Sequence, residues 1–262
     1  MPELPEVEAV VRAIRGKLPG RTITGAACRQ PKAINLPPDE FRERVRGRRI
    51  LGVARRAKST VVQLEQGSLW LHMGLRGQIL LTTDAAAEMT VCLGLDDGSH
   101  FGLANSFMGH VHYFSTDEAA ARDRSLGVDP FDPDFTPQRL TEIVRAKPKS
   151  AAKAVLMDQS LVAGVGNIYS DEALHRAGVR PTRKCAELSE DEIGHLWQTV
   201  RQVLTEAVEA RGAEGYLGDP EGPGGYEPRI HGREECAVCG TPAVKLTAAG
   251  RTAYYCPKCQ PS

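Results

Sequence analysis

The chain has 262 residues, enough for two ordinary domains with separate cores, and is 41% hydrophobic and 25% charged, a balance that suits a soluble globular protein. No apolar run is long enough to span a bilayer, and the acidic, proline-bearing start is the opposite of an export signal, so cytoplasmic residence is expected. Lysine plus arginine and aspartate plus glutamate each number 33, and a net charge of zero argues against a nucleic-acid partner only if charge is evenly spread. It is not: Arg42, Arg44, Arg46, Arg48, Arg49, Arg55, Arg56 and Lys58 face only Glu43 in one stretch, and Arg145, Lys147, Lys149 and Lys153 form another. Such segregation can make a basic groove on a neutral molecule.

The chain opens Met1-Pro2-Glu3-Leu4-Pro5-Glu6. Val7, Val10, Val11 and Ile14 recur at helical spacing and Gly16 offers a stop, which predicts an amphipathic helix beginning just after Pro5. Methionine ahead of a small residue is normally trimmed, which would leave Pro2 as a free secondary amine beside the Glu3 carboxyl. Such an amine attacks an aldehyde-like carbon and gives a charged iminium, an electron sink for breaking neighbouring bonds. A second reading stands beside it: a proline in the first turn of a helix, where the missing N–H costs nothing.

Short β-branched segments follow at 21–27, 49–55, 60–64, 68–72, 78–82, 90–95 and 99–103, broken by turn residues such as Gly67 and Asp97-Gly98. They predict a sandwich of antiparallel sheets. Ser125 to Pro137, with Asp129-Pro130 and Asp132-Pro133, reads as a linker. The period then becomes helical. Thr136-Pro137 caps one helix, Ser150 to Ser160 and Asn167 to Ala177 form two more, and the capping box Ser189-Glu190-Asp191-Glu192 opens a long one. Gly212 to Pro228 has no apolar period and reads as a mobile loop.

Of seven cysteines, Cys28, Cys92 and Cys185 are isolated. Cys236-x2-Cys239 and Cys256-x2-Cys259 are paired knuckles sixteen residues apart, the pattern of a tetrahedral thiolate site for one structural Zn2+. Strand-forming residues at 244–246 and 252–255 make the intervening piece a β-hairpin too small for a core, so zinc supplies most of its folding energy. Upstream, the turn Gly164-Val165-Gly166-Asn167 sits between two helices. The second helix points its free N–H groups and Asn167 outward, a good phosphate site, or else the glycines serve tight packing of a helix hairpin.

Together these elements resemble one family, the formamidopyrimidine-DNA glycosylase and endonuclease VIII family of base-excision repair enzymes. The resemblance spans the chain. It rests on Pro-Glu-Leu-Pro-Glu-Val-Glu at the start, Arg55-Arg56-Ala57-Lys58, His72-Met73-Gly74-Leu75-Arg76-Gly77, Gly164 to Tyr169, and Gly250 to Cys259. Glu3-Leu4-Pro5-Glu6 favours the glycosylase branch. The resemblance implies an α+β fold: an N-terminal antiparallel β-sandwich flanked by helices, then a helical helix–two-turn–helix domain with a zinc-ribbon β-hairpin. The expected divisions are a catalytic domain over 1–124, a linker over 125–137, the helical domain over 138–228 with its glycine-rich loop at 212–228, and the ribbon over 229–262.

The implied activity is removal of a damaged, oxidised base from DNA, with strand cutting by β,δ-elimination. Pro2 would be the nucleophile at the sugar C1′, Glu3 the general acid, and Glu6 a support that holds the site. Lys58, His72, Asn167 and Arg251 match the family's phosphate-binding positions. The partner would be damaged DNA met by a monomer in the cytoplasm, associated with the nucleoid when bound, with no membrane and no small-molecule cofactor.

The chain departs from the family where the gap left by the extruded base is filled. Leu75 stands in place of a methionine. Ala104-Asn105-Ser106-Phe107-Met108-Gly109 replaces an Asp-Pro-Arg-Arg-Phe-Gly loop, so Ser106 stands for an arginine and Met108 for a phenylalanine. His231 replaces a tyrosine ahead of the ribbon. Cutting chemistry is therefore expected to be kept while lesion and opposite-base choice shift, toward oxidised pyrimidines, bulky adducts or unpaired lesions. Two other classes compete: a damage-binding protein without turnover, and a zinc-ribbon transcription factor, which leaves the N-terminus unexplained.

Overall fold

Alternation of apolar and polar residues lays down eight strands among the described residues of the first half of the chain, and the computed structural model pairs them into two antiparallel sheets. The structure describes residues 1–84, 88–213 and 224–261. These divide into two compact units, Met1–Arg124 and Ser125–Ala213 with the chain from Tyr226 onward.

In the first unit, α1 (Leu4–Arg15) is followed by β1 (Ile23–Cys28), α2 (Pro38–Val45), β2 (Ile50–Arg56), β3 (Ser59–Leu64), β4 (Ser68–His72), β5 (Gln78–Thr82), β6 (Met89–Leu95), β7 (His100–Ala104), β8 (His110–Phe114) and α3 (Thr116–Arg124). The sheets run β1-β6-β7-β5 and β2-β3-β4-β8. Val7, Val10, Val11 and Ile14 of α1 share one core with Val53, Val62, Leu69, Leu71, Phe101 and Leu103 from the two sheets. The α+β sandwich expected from the sequence is the one observed, with β4 and β5 at their predicted bounds.

Three elements are additional to that expectation. Strand β8 reads His-Val-His-Tyr-Phe, so only Val111 and Tyr113 carry the alternating apolar signal. Helix α2 buries Phe41 and Val45 alone, and α3 buries nothing, so neither has an apolar stripe to read.

The second unit holds α4 (Pro137–Arg145), α5 (Ala152–Met157), α6 (Asn167–Arg176), α7 (Glu190–Glu209), β9 (Val244–Ala248) and β10 (Arg251–Tyr255). The predicted caps are formed: Thr136 Oγ1 accepts the Arg139 N–H at 3.1 Å, and Ser189 Oγ accepts that of Glu192 at 3.1 Å. Helix α5 is shorter than the expected 150–160, because Asp158 ends it by accepting from both the backbone N–H and the hydroxyl of Ser160.

The 125–137 stretch is packed rather than a free linker. Gly127 donates to Gln159 O at 2.8 Å, Val128 bridges Val162, Phe135 is buried, and the Trp197 indole donates to Phe135 O at 2.7 Å. Its Asp-Pro pairs make turns, and other residues of the stretch carry core contacts. The glycine-rich loop expected at 212–228 lies mostly outside the described residues.

Candidate active site and zinc centre

In the first unit the candidate residues begin at the α1 N-terminus. Pro2, Glu3 and Glu6 are all buried. The Glu3 backbone N–H donates to Glu6 Oε2 at 2.8 Å, half of a reciprocal capping box, and the Glu6 carboxylate meets the positive end of the helix. Glu6 thereby fixes the backbone one residue after Pro2.

Lys58 stands on the tight β2–β3 turn, where Ala57 takes a left-handed φ of 51°. Two arginines hold that turn. Arg55, almost wholly buried, donates from Nε to Glu8 Oε2 of α1 at 3.2 Å and from Nη1 to Ala57 O at 3.1 Å. Arg56 pairs with Asp123 of α3. The turn bearing Lys58 is thus braced against the helix that bears Pro2.

His72 ends β4. Its Nδ1 accepts the Gly74 N–H at 3.1 Å, so the proton of the neutral ring resides on Nε2, as a donor. Burial pushes the ring down to about 4, with His110, Lys58, the N-terminal ammonium and Arg122 adding to the effect. His72 stacks on His110 with centroids 5.2 Å apart, and His110 on His112 at 4.1 Å. His112 is likewise lowered to about 4, first by burial.

These histidines are held neutral in the fold but protonate near 6.5 when unfolded. The unfolded state therefore binds more protons below that pH, and stability falls as pH drops from about 6.5 toward 4. Thermal midpoints over that range are expected to decline, and His112→Leu to flatten the decline. A midpoint unchanged between pH 7 and 4.5 counts against it.

Beyond β4, two loops are sewn together. Leu75 and Phe107 exchange backbone hydrogen bonds of 2.7 and 3.0 Å. A Cβ on Gly74 would collide with the Phe107 carbonyl, and one on Gly109 with Ser106 Oγ, so glycine is required at both. Ser106 turns inward and donates to Met73 O at 2.9 Å. It braces the loop from within. Three apolar side chains project, Leu75 at 39% exposed and Phe107 and Met108 at 67% each, with Arg76 and Asn105 exposed beside them.

In the second unit, Asn167 begins α6 and Arg251 begins β10, directly after a hairpin turn in which Ala249 and Gly250 both take positive φ. Asn167 Nδ2 donates to Thr252 O at 2.9 Å, so these two phosphate candidates share one local framework. Asp171, Glu172 and His175, one and two turns along α6, were not singled out by the sequence. Glu172, wholly buried, accepts the backbone N–H groups of Arg229, Ile230 and His231 at 2.7, 2.9 and 2.9 Å. Asp171 accepts from Lys153, also wholly buried, at 2.5 Å.

The basic clusters are largely committed internally. Arg42 pairs with Asp39 and Arg44 with Glu40, Arg145 donates to the Cys185 and Leu188 carbonyls, and Lys153 is enclosed. Among these only part of the charge remains to meet a polyanion.

The four thiols Cys236, Cys239, Cys256 and Cys259 lie within 4.8 Å of one another. Sulfur separations of 3.5 Å for Cys239–Cys256, 3.5 Å for Cys239–Cys259 and 3.9 Å for Cys236–Cys259 bracket the ~3.8 Å edge of a tetrahedron with Zn–S bonds of about 2.3 Å. They fit a structural zinc ion. His175 Nε2 lies 3.2 Å from Cys236 Sγ, where a neutral ring would donate to a thiolate and steady it.

Comparison with known proteins agrees with this arrangement along its whole length. Residues 1–106 match the formamidopyrimidine-DNA glycosylase N-terminal domain, residues 126–216 its H2TH domain, and residues 233–261 a zinc finger found in that glycosylase and in isoleucyl-tRNA synthetase. The chain belongs to the formamidopyrimidine-DNA glycosylase family. It is 36% identical over 275 residues to the formamidopyrimidine-DNA glycosylase of Pelotomaculum thermopropionicum, covering 99% of both chains. The corresponding figure for that of Chloroflexus aggregans is 37% over 273 residues, with 99% and 98% covered. Among solved structures, a Lactococcus lactis formamidopyrimidine-DNA glycosylase bound to DNA containing an abasic site superposes with a TM-score of 0.86 at 28% identity, over 99% and 100% of the chains. A complex of the same type with a THF-DNA and an inhibitor reaches 0.89, over 100% of both.

Proposed function

We propose that this protein excises an oxidised base from DNA and cuts the strand at the resulting abasic site, using Pro2 as the nucleophile. The observation that carries the reading is the start of α1, where Pro2 is buried with the two acids Glu3 and Glu6 and the turn bearing Lys58 is braced on the same helix through Arg55 and Glu8. Family membership supplies the rest.

The Pro2 nitrogen attacks C1′ of the damaged nucleotide, and Glu3 delivers a proton to the opening sugar. The bond to the base breaks, and the base leaves with its electron pair and takes up a proton. The product is an iminium between Pro2 and C1′. Its charge acidifies the C2′ proton, whose loss expels the 3′ phosphate; a second elimination expels the 5′ phosphate. Lys58 and the His72 Nε2–H donate to phosphates of the strand, and Asn167 and Arg251 hold its backbone while the nucleotide is turned out. The protein acts as a monomer on DNA in the cytoplasm, a reading consistent with the absence among the described residues of any helix long and apolar enough to cross a membrane.

Borohydride reduction in the presence of abasic DNA tests this directly. The unmodified protein should become covalently attached to the DNA. No adduct at all would leave only a binding protein.

A shifted specificity follows from the loop tip. Leu75, Phe107 and Met108 can wedge into a base step but offer no hydrogen bond to the base left opposite the lesion. A bidentate polar contact to a base edge is worth about 1–3 kcal/mol of discrimination. Cleavage rates of one lesion placed opposite C, A, G and T should therefore agree within about fivefold. Strong preference for cytosine opposite 8-oxoguanine would refute the shift.

A further inference from the structure

The residues that hold α6 against β10 do so at two matched points. Asn167 Nδ2 donates to Thr252 O at 2.9 Å, and the Tyr254 N–H donates to Asp171 Oδ2 at 3.1 Å. Asn167 and Asp171 are four residues apart on a helix, a rise of about 6 Å. Thr252 and Tyr254 are two residues apart on a strand, about 6.8 Å. The spacings agree, so the strand is stapled to the helix in a single register, and Arg251 stands beside the first staple.

The second staple depends on the orientation of a wholly buried carboxylate. Asp171 Oδ1 accepts from Lys153 Nζ at 2.5 Å, and the same ammonium donates to Asn167 O at 3.2 Å. Asp171 Oδ2 takes both the Tyr254 N–H and, at 2.7 Å, His231 Nδ1. His231 also sets its ring edge-on to that of Tyr254, with centroids 5.1 Å apart and planes at 70°. Its own backbone is held by Glu172. The imidazole therefore arrives in a fixed place and closes the coordination of Asp171.

We propose that His231, acting through Asp171, is a positioning residue for the DNA-phosphate grip, setting the register of β10 on α6 and hence the spacing of Arg251 from Asn167. This rests on the reading of Asn167 and Arg251 as phosphate ligands. The sequence marks the position as one where the chain departs from its family, and the structure gives the replacement a partner that needs a donor at that point.

The test is His231→Phe in the full chain, which keeps the ring beside Tyr254 and removes the donor. The probe is a duplex carrying a tetrahydrofuran abasic analogue, with zinc content and thermal midpoint read alongside. Affinity is expected to fall about tenfold, the size typical of a lost orienting hydrogen bond, with one zinc per chain retained. Single-turnover cutting of abasic DNA at saturating protein should stay near the unmodified rate. His231→Asn, whose amide nitrogen occupies the place of Nδ1, should recover most of the affinity.

Unchanged affinity in the phenylalanine variant overturns the proposal, as does an asparagine variant equally weak. Zinc lost along with binding in both variants makes His231 a folding residue and overturns it too. Arg251→Ala separates the two layers: if it leaves affinity untouched, the phosphate reading itself fails, whereas a weakly binding Arg251→Ala beside a His231→Phe of unchanged affinity sinks the positioning role alone.

Discussion

Placing an uncleaved extension ahead of Pro2 is expected to reduce base excision by about a thousandfold or more, the scale on which loss of a catalytic nucleophile is felt. The reason is covalent. A peptide bond to Pro2 delocalises its nitrogen lone pair into a carbonyl, and an amide does not add to C1′. Pro2→Gly should show a large loss as well, for a different reason. Glycine leaves a primary amine after trimming, which gives a neutral imine that must be protonated before it draws electrons, and it lacks the ring that aims the nitrogen. Binding of abasic-analogue DNA should stay within a few fold in both proteins, because the phosphate ligands are untouched. Intact mass establishes whether Met1 has been removed, incision of an oxidised-purine duplex gives the rate, and borohydride capture reports the iminium. An extended chain that cuts at the unmodified rate would eliminate Pro2 as nucleophile.

Removing zinc, or replacing Cys239 with serine, should weaken binding of the same duplex by about a hundredfold or more, given that structural zinc contributes roughly 10–16 kcal/mol to small domains of this kind. The ribbon has little else to hold it: its own buried cluster is Ile230, Cys236 and Cys256, with Cys239, Ala243, Tyr254 and Cys259 packed around it. Without the ion, four thiols stand within 4.8 Å of one another. Burial and its neighbours push Cys259 up to about 12, while the Thr241 hydrogen bonds draw Cys239 down to about 6. Four thiolates together need a dication. With the hairpin unfolded, Arg251 loses its place, while the β-sandwich keeps its separate core. Circular dichroism should therefore retain the sandwich's strand signal as DNA binding disappears. Binding that survives chelation would end the role given to Arg251.

Much of this was legible in the sequence because the signals were local. The cysteine knuckles, the Thr136 and Ser189 caps and the strands at 68–72 and 78–82 each declare themselves within a few residues. Pro2 and Asn167 stand out in the sequence only as members of a set. What stayed hidden depends on residues far apart in the chain. Glu172 looks like an ordinary helical glutamate until it meets the N–H groups of 229–231, and Lys153 reads as surface charge until Asp171 encloses it. The bracing role of Ser106 is hidden for the same reason, since its inward hydrogen bond depends on the Met73 carbonyl 33 residues earlier.

The clasp on Glu172 also dictates an order of completion during synthesis. Helix α6 leaves the ribosome well before the residues that satisfy it, and its neighbouring buried carboxylates, Asp171 and Glu172, both take donors from beyond residue 228. A chain ended ahead of Arg229 would leave Glu172 without the three N–H groups that hold it and Asp171 with Lys153 alone, and a buried charge stripped of its partners costs several kcal/mol. The helical unit is thus finished only by its last stretch of sequence, and premature termination yields a product for proteolysis instead of a half-competent enzyme that could open DNA without holding it.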